Sequence, residues 1–297
     1  MSAPSLHASV PKELDIVARA VPIALEAGAL LRGYLERGVA TEYKGDVDVV
    51  TEADRASEKL ITERLTAAFP DHGIYGEEGV RQRIESEYRW YVDPLDGTTN
   101  FAHGFPVFCV SLGLEHRPAG KDGVLIAGVI YDPTRDELFV AQKNLGAWLN
   151  GRRIHVSKTS QLAEALLSTG FPSRKRHVSP NIHFYQEFTL RSHGVRRAGS
   201  AALDLAYTAC GRVEGFWEFH LNPWDTAAGA LLVMEAGGAI TRFDGSPFRI
   251  DSSEVLASNG LVHQELVRLF GDIFAGRDLH PIPSPAEFAA ERAAHQR

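Results

Sequence analysis

Asp93-Pro94-Leu95-Asp96-Gly97-Thr98-Thr99-Asn100-Phe101 is the stretch on which the reading turns. Two carboxylates stand three residues apart, directly after the aromatic strand pattern Tyr88-Arg89-Trp90-Tyr91-Val92, which is expected to end abruptly at Asp93-Pro94. Pro94 fixes the backbone between the two acids and Gly97 permits a tight turn, so the spacing can aim both carboxylates at one point. The plainer reading of D-P-x-D-G is a turn with aspartate as an Asx cap. The Gly97-Thr98-Thr99-Asn100 that follows weighs against it, because exposed N–H groups and threonine hydroxyls there suit an anion, the more so if a helix begins at that point. Acids beside an anion cradle need cations between them, and hard oxygen ligands suit Mg2+ or Mn2+ rather than zinc.

Other acids are available to complete such a site. Glu77 lies in Gly76-Glu77-Glu78-Gly79 after the strand pattern Gly73-Ile74-Tyr75, where the plainer reading is an exposed acidic turn. Asp225 follows Pro223-Trp224 and opens a helix; as a capping residue it would still keep an oxygen for a metal. Asp54 is the third helical residue after Thr51, where a capping box competes. His103 and His220 lie near these motifs and read first as structural or solvated histidines, while His155, His177, His183 and His193 show no metal-ligand spacing.

Outward from there, Glu13 to Arg37 has helical periodicity, with Pro22 expected to kink or divide it. Lys44-Gly45-Asp46 marks a turn between two short strands, and a second helix runs from Thr51 to Phe69. Strands at Val107 to Leu114, Val124 to Tyr131 and Glu137 to Ala141 follow at hairpin spacing, then a turn at Asn150-Gly151. The second half alternates: helix Ser200 to Cys210, strand Val213 to Phe219, helix Asp225 to Ala236, strands Ala239 to Phe243 and Val255 to Ala257, helix Leu261 to Phe270. That is α/β layering, read as one domain over 1–297 with lobes of about 1–150 and 151–279 and a loosely held tail at 280–297. The chain's 297 residues suffice for a core without staples, and its 44% hydrophobic and 23% charged content excludes collagen-like, coiled-coil and largely disordered classes. No apolar run approaches the ~18 residues of a membrane helix and no secretory signal is visible, so a cytoplasmic protein is expected. The two cysteines, Cys109 and Cys210, read as reduced core residues. A formal charge of −7 argues against a nucleic-acid surface, despite short basic clusters such as Arg196-Arg197.

D-P-L-D-G-T-T-N-F, preceded by G-E-E and followed by P-W-D-T-A-A-G, resembles the inositol monophosphatase family. The order of motifs matches from about Lys44 to Ala257, and Arg197-Ala198-Gly199-Ser200-Ala201-Ala202-Leu203-Asp204 resembles the family's substrate-side motif. The resemblance implies the layered αβαβα sandwich shared with fructose-1,6-bisphosphatases, a homodimer, and a Mg2+-dependent, lithium-sensitive phosphatase. It implies that Glu77, Asp93 and the Leu95 carbonyl hold a first metal, that Asp93, Asp96 and Asp225 hold a second, and that a third sits near Glu77. Gly97 and Thr98 would contact phosphate, with Asp54 orienting Thr98, and Glu77 with Thr98 positioning the attacking water. Gly199, Ser200, Ala201 and Glu218 would meet the alcohol portion, and Lys44 matches a lysine in a mobile loop. The substrate expected is a phosphorylated polyol or sugar, foremost inositol 1-phosphate. Fructose 1,6-bisphosphate, histidinol phosphate and 3′-phosphoadenosine 5′-phosphate stay open, as does an RNA-associated or transcription-machinery binding role. Five carboxylates in one cleft would repel without cations, so raised pKa values or partial disorder are expected in a metal-free chain.

Overall fold

Residues 10–37, 41–43, 49–171, 179, 181–281, 284 and 286 are described by the structure, a computed structural model. Helix α1 (Asp15–Arg37) and helix α2 (Glu52–Ala68) flank the short antiparallel pair β1 (Thr41–Tyr43) and β2 (Val49–Thr51). Pro22 does not divide α1, which runs unbroken through it. Proline inside a helix costs about 3 kcal/mol. Burial of Val17, Val21, Ile23 and Leu31 on the same helix outweighs that, at about 1.5–3 kcal/mol for each large apolar side chain. On α2 the residues Ala53, Asp54, Ser57, Glu58, Ile61 and Leu65 form the buried face, so two acids lie on the inward side.

The first sheet contains β3 (Gly73–Gly76), β4 (Arg81–Gln82), β5 (Tyr88–Asp96), β6 (Cys109–His116), β7 (Val124–Asp132), β8 (Glu137–Gln142), β9 (Gly146–Leu149) and β10 (Arg152–Ile154). Their spatial order is β10-β9-β8-β7-β6-β5-β3-β4, and only β3 and β5 run parallel. Strand β5 does not end at Asp93. It continues through Pro94 to Asp96, with Asp93 opposite Ser111 and Asp96 opposite Cys109 on β6. Three steps on β5 against two on β6 make a bulge, which tolerates the proline's missing N–H. In a regular strand residues three apart face opposite sides of the sheet; the extra residue returns Asp96 to the side of Asp93.

The second sheet has the order β12-β11-β13-β15-β14, from β11 (Leu166–Thr169), β12 (Gly194–Arg196), β13 (Gly215–Phe219), β14 (Ala239–Thr241) and β15 (Glu254–Ser258). Helix α3 (Thr98–Ala102) is a short turn after β5; α4 (Asn181–Arg191) and α7 (His263–Phe274) cover the outer face of the second sheet. There Phe184, Phe188, Trp217, Phe243 and Phe270 form an aromatic core. Between the sheets lie α5 (Ala201–Ala209) and α6 (Pro223–Glu235), both alanine-rich and largely buried. With α1 and α2 on the free face of the first sheet, the layers run helix, sheet, helix, sheet, helix, the αβαβα sandwich expected. A side chain at Gly113 on β6 would collide with Ala227 and Ala228, so the missing Cβ lets α6 lie directly on the sheet. Among the described residues no helix is long and apolar enough to cross a membrane. Most of the 280–297 tail lies outside the described residues, although His280 is tied to Glu187 at 2.8 Å.

Candidate active site

Asp93 is 2% exposed, and its Oδ1 accepts a hydrogen bond from the Leu95 N–H at 3.0 Å across the bulge. Burial holds its carboxyl well above the usual range, and the charges of Glu77, Asp96 and Asp225 push the same way. Three acids thus act on it, Glu77 and Asp225 from distant parts of the chain, and Glu77 also shares a hydrogen bond with it. Glu77 follows β3, and its N–H donates to the Val92 carbonyl at 3.0 Å, which fixes it beside the residue preceding Asp93.

Asp96 sits at the end of β5 against the start of α5. Its Oδ2 accepts from Ser200 Oγ and from the Ala202 N–H, each at 2.7 Å. Ser200 is the N-cap of α5, with the Leu203 N–H 3.4 Å from its hydroxyl. Burial still raises the Asp96 carboxyl, against these bonds. Asp225 is the third residue of α6 and closes a capping box: its Oδ2 accepts from the Asn222 N–H at 2.6 Å. Burial pushes Asp225 up to about 7, helped by the charge of Asp96 and opposed by the Asn222 bonds. Capping and facing the cleft coexist in this residue, because Oδ1 is not used by the box.

Thr98 opens α3 after Gly97, whose φ of 98° is left-handed and whose Cβ, if present, would meet the Val107 carbonyl. The Thr98 hydroxyl lies 3.0 Å from Asp54 Oδ1 and 3.1 Å from the Leu95 carbonyl. Both neighbours accept, so the single proton is committed to them and the oxygen's lone pairs remain for a donor such as water. Asp54 is wholly buried on α2, and its Oδ1 accepts from Thr98.

On the opposite wall, Asn100 Nδ2 donates to the Val107 carbonyl at 2.8 Å and to the Ala198 carbonyl at 2.9 Å, with the Gly199 carbonyl at 3.3 Å. One amide therefore joins the segment after Thr98 to the segment before Ser200 and Ala201, a link the sequence reading missed. Glu218 on β13 presses its carboxylate onto Gly170, where a Cβ would overlap it. Burial raises Glu218 well above its usual range, with the charges of Asp204, Asp225 and Asp96 adding to the effect, so it belongs to the same field. Asp204 is a further buried acid raised by burial, which the sequence reading quoted in a motif without giving it a role. Glu58 was also missed; its signal was a charged residue one turn beyond Asp54 on the apolar face of α2. Cys109 Sγ lies 3.7 Å from Ser200 Oγ, and burial raises its thiol far above the usual range, which makes it no nucleophile; both cysteines are free. Lys44 lies outside the described residues.

Among the described residues no three or more His, Cys, Asp or Glu side chains form a group that could hold a metal ion in this arrangement. The donors instead fit an open site. Asp96 and Asp225 each turn one oxygen to a helix start, and the charges of Glu77, Asp96 and Asp225 act together on Asp93. Mg2+ is commonly held that way, by one or two carboxylates plus water and substrate phosphate.

With this geometry established, the comparisons define the class. The inositol monophosphatase family profile matches residues 13–273. An inositol-1-monophosphatase of a Synechocystis species is 45% identical over 85% of this chain and 86% of its own length. A protein of Pseudomonas aeruginosa named Nus factor SuhB is 44% identical over 83% of this chain and 91% of its own. The solved inositol monophosphatase of Anabaena superposes with a TM-score of 0.78 at 43% identity, covering 92% of this chain and 99% of that one. The chain belongs to the inositol monophosphatase family. It is a phosphatase, a phosphoric monoester hydrolase.

Proposed function

We propose that the chain is a Mg2+-dependent inositol monophosphatase, acting on a small phosphorylated polyol or sugar and foremost on inositol 1-phosphate. The observation that carries this reading is the convergence of Glu77, Asp93, Asp96 and Asp225 on one buried field beside the Thr98–Asp54 pair. Glu77, Asp93 and the Leu95 carbonyl would hold one Mg2+, and Asp93, Asp96 and Asp225 another, with Mn2+ as a substitute and a third ion near Glu77. Bound there, the ions would neutralise phosphate charge and acidify water. Thr98, its proton held by Asp54, accepts a hydrogen from the incoming water, and Glu77 orients the same water from the other side. Water oxygen attacks phosphorus in line and the ester P–O bond breaks; one of the water's protons ends on the departing alcohol oxygen and the other stays on the phosphate. Gly97 and Thr98 line the phosphate; Gly199, Ser200, Ala201 and Glu218 meet the hydroxyls of the alcohol. The same reading takes the chain as one domain with two lobes meeting near residue 150, cytoplasmic and homodimeric.

Phosphate release from inositol 1-phosphate, fructose 1,6-bisphosphate, histidinol phosphate and 3′-phosphoadenosine 5′-phosphate, with Mg2+ and with EDTA, tests it. The highest kcat/KM is expected on inositol 1-phosphate, and none in EDTA. A better rate on histidinol phosphate or on a bisphosphate would overturn the substrate and spare the mechanism. Release undiminished by EDTA would overturn both. Relatives named Nus factor SuhB favour a second reading, a binding role in the transcription machinery. Co-purification of RNA polymerase that survives Asp96→Asn would support it; the charge of −7 disfavours direct RNA contact.

A further inference from the structure

We infer that Glu58 is the positioning residue for the Glu77 carboxylate, holding the 76–80 loop from beneath, with Gly76 as the position that admits it. The inference rests on the reading of Glu77 proposed above. Glu58 is 5% exposed, an acid almost wholly inside the protein. Its Oε1 accepts from the Glu78 N–H at 2.9 Å, and the Val80 N–H also bonds its carboxylate. Two backbone donors of one loop converge on it, and the Arg81 charge also favours its ionised form. An acid that accepts backbone N–H groups is a tie between segments, and removing it leaves buried donors unsatisfied.

The loop is built around that tie. Gly76 lies against the Glu58 carboxylate so closely that a Cβ would collide with Oε1. The Gly76 N–H donates to the Val80 carbonyl at 2.9 Å, closing the loop's neck, and Gly79 has a φ of 114° at its tip. Glu77 is therefore gripped on both sides. On one side its own N–H reaches Val92 on β5, the neighbour of Asp93. On the other, the N–H of the next residue is anchored to α2 through Glu58. Asp54, one turn earlier on that helix, holds Thr98. A single buried turn of α2 thus supports both groups proposed to meet the attacking water. Glu77 is the only one of the four central acids on a loop, since Asp93 and Asp96 lie on β5 and Asp225 on α6. Its aim depends most on a support of this kind, and small misplacements of such groups are costly.

The test compares Glu58→Gln, Gly76→Ala and Glu77→Gln with the wild type, using Mn2+ alone, counted by the electron paramagnetic resonance of the free ion, and phosphate release against Mg2+ concentration. Glutamine keeps the size of Glu58 but presents an NH2 to one loop N–H. Expected for Glu58→Gln is about tenfold weaker Mn2+ binding and a matching rise in the Mg2+ needed for half-maximal rate, with kcat at saturating Mg2+ within about threefold. Gly76→Ala should move both in the same direction. In the wild type the Glu78 and Val80 amides should exchange slowly with solvent, a measurement that needs no variant to fold. Unchanged Mn2+ binding with a lowered Tm would make Glu58 purely structural and overturn the inference, as would rapid exchange of both amides. Should Glu77→Gln itself leave Mn2+ binding and turnover intact, the reading of Glu77 fails and the inference falls with it. Should Glu77→Gln weaken binding while Glu58→Gln does not, only the inference fails.

Discussion

Asp225→Asn is expected to abolish turnover and yet to stabilise the protein in EDTA at alkaline pH. The carboxyl's ordinary value is 3.8 and burial carries it to about 7 in the folded chain. A folded value above the unfolded one means that folding takes up a proton. The stability tied to that proton is complete below pH 3.8 and is lost as pH rises through about 7. At about 1.4 kcal/mol per pH unit between the two values, the ionised Asp225 costs the metal-free fold up to about 4 kcal/mol at pH 8. Asparagine removes the charge and still offers an oxygen to the Asn222 N–H, so loss of the capping box takes back about 1 kcal/mol at most. The net gain at pH 8 is about 3 kcal/mol, some 5 °C in Tm for a chain of this size. At pH 5 the wild-type group is still largely protonated when folded, and the gain shrinks to about 1 kcal/mol or less. Urea unfolding in EDTA at both pH values measures the difference, and added Mg2+ should raise the Tm of the wild type by more than that of the variant, which keeps the ion site that Asp225 does not serve. A variant destabilised equally at pH 5 and pH 8 would refute the reasoning, because Asp225 would then act as a helix cap and nothing more.

Two further outcomes follow from the same geometry. Thr98→Ala removes the hydroxyl between Asp54 and the Leu95 carbonyl and should lower kcat about a hundredfold with KM within about threefold; a raised KM at unchanged kcat would make Thr98 a binding contact only. Asn100→Ala unties Val107 from Ala198 and Gly199 and should raise KM for the phosphate ester about tenfold and cost about 1–3 kcal/mol of stability; an unchanged KM in a destabilised variant would show that the 198–201 segment does not meet substrate.

The elements most legible in the sequence were those whose signals are local. Gly211 and Gly237 stop α5 and α6 with left-handed φ values of 74° and 87°, and the Asn150-Gly151 turn joins β9 to β10. What the sequence hid was decided by tertiary partners. Proline after Asp93 signals a strand end, but pairing with β6 continues through a bulge, and no local pattern announces a bulge. Helix α4 offers only Phe184 and Phe188 as an apolar stripe; its first residue, Asn181, is buried because its amide donates to the Gly170 carbonyl and accepts from Trp217 Nε1, partners from β13 and the end of β11. Pro22 misled for the complementary reason, since the helix break it signals is overruled by apolar packing on the first sheet. At the site, the acids were legible as residues, the shared aim of Asp93 and Asp96 was legible in their spacing, and the arrival of Glu77 and Asp225 was expected only through the family resemblance. That Asp93 senses Glu77, Asp96 and Asp225 at once depends on two helices from the second half of the chain meeting the end of β5.

Those two helices account for how four acids are tolerated together. Asp96 receives the first turn of α5 and Asp225 lies in the first turn of α6, so each faces N–H groups and the positive end of a helix dipole, which favour its ionised form. Burial opposes that and wins for both, so in the metal-free chain protonation of these carboxyls is favoured. The helices cannot retreat to relieve the repulsion. Gly113 brings α6 onto β6, and Gly229 on α6 lies where a Cβ would strike Leu205 of α5. Asp93, Asp96 and Asp225 are therefore fixed by the interior of the sandwich, whereas Glu77 rides on a loop between β3 and β4. Repulsion in the metal-free chain acts most readily outward along that loop, against the bonds from the Glu77 N–H to the Val92 carbonyl and from the Glu78 N–H to Glu58.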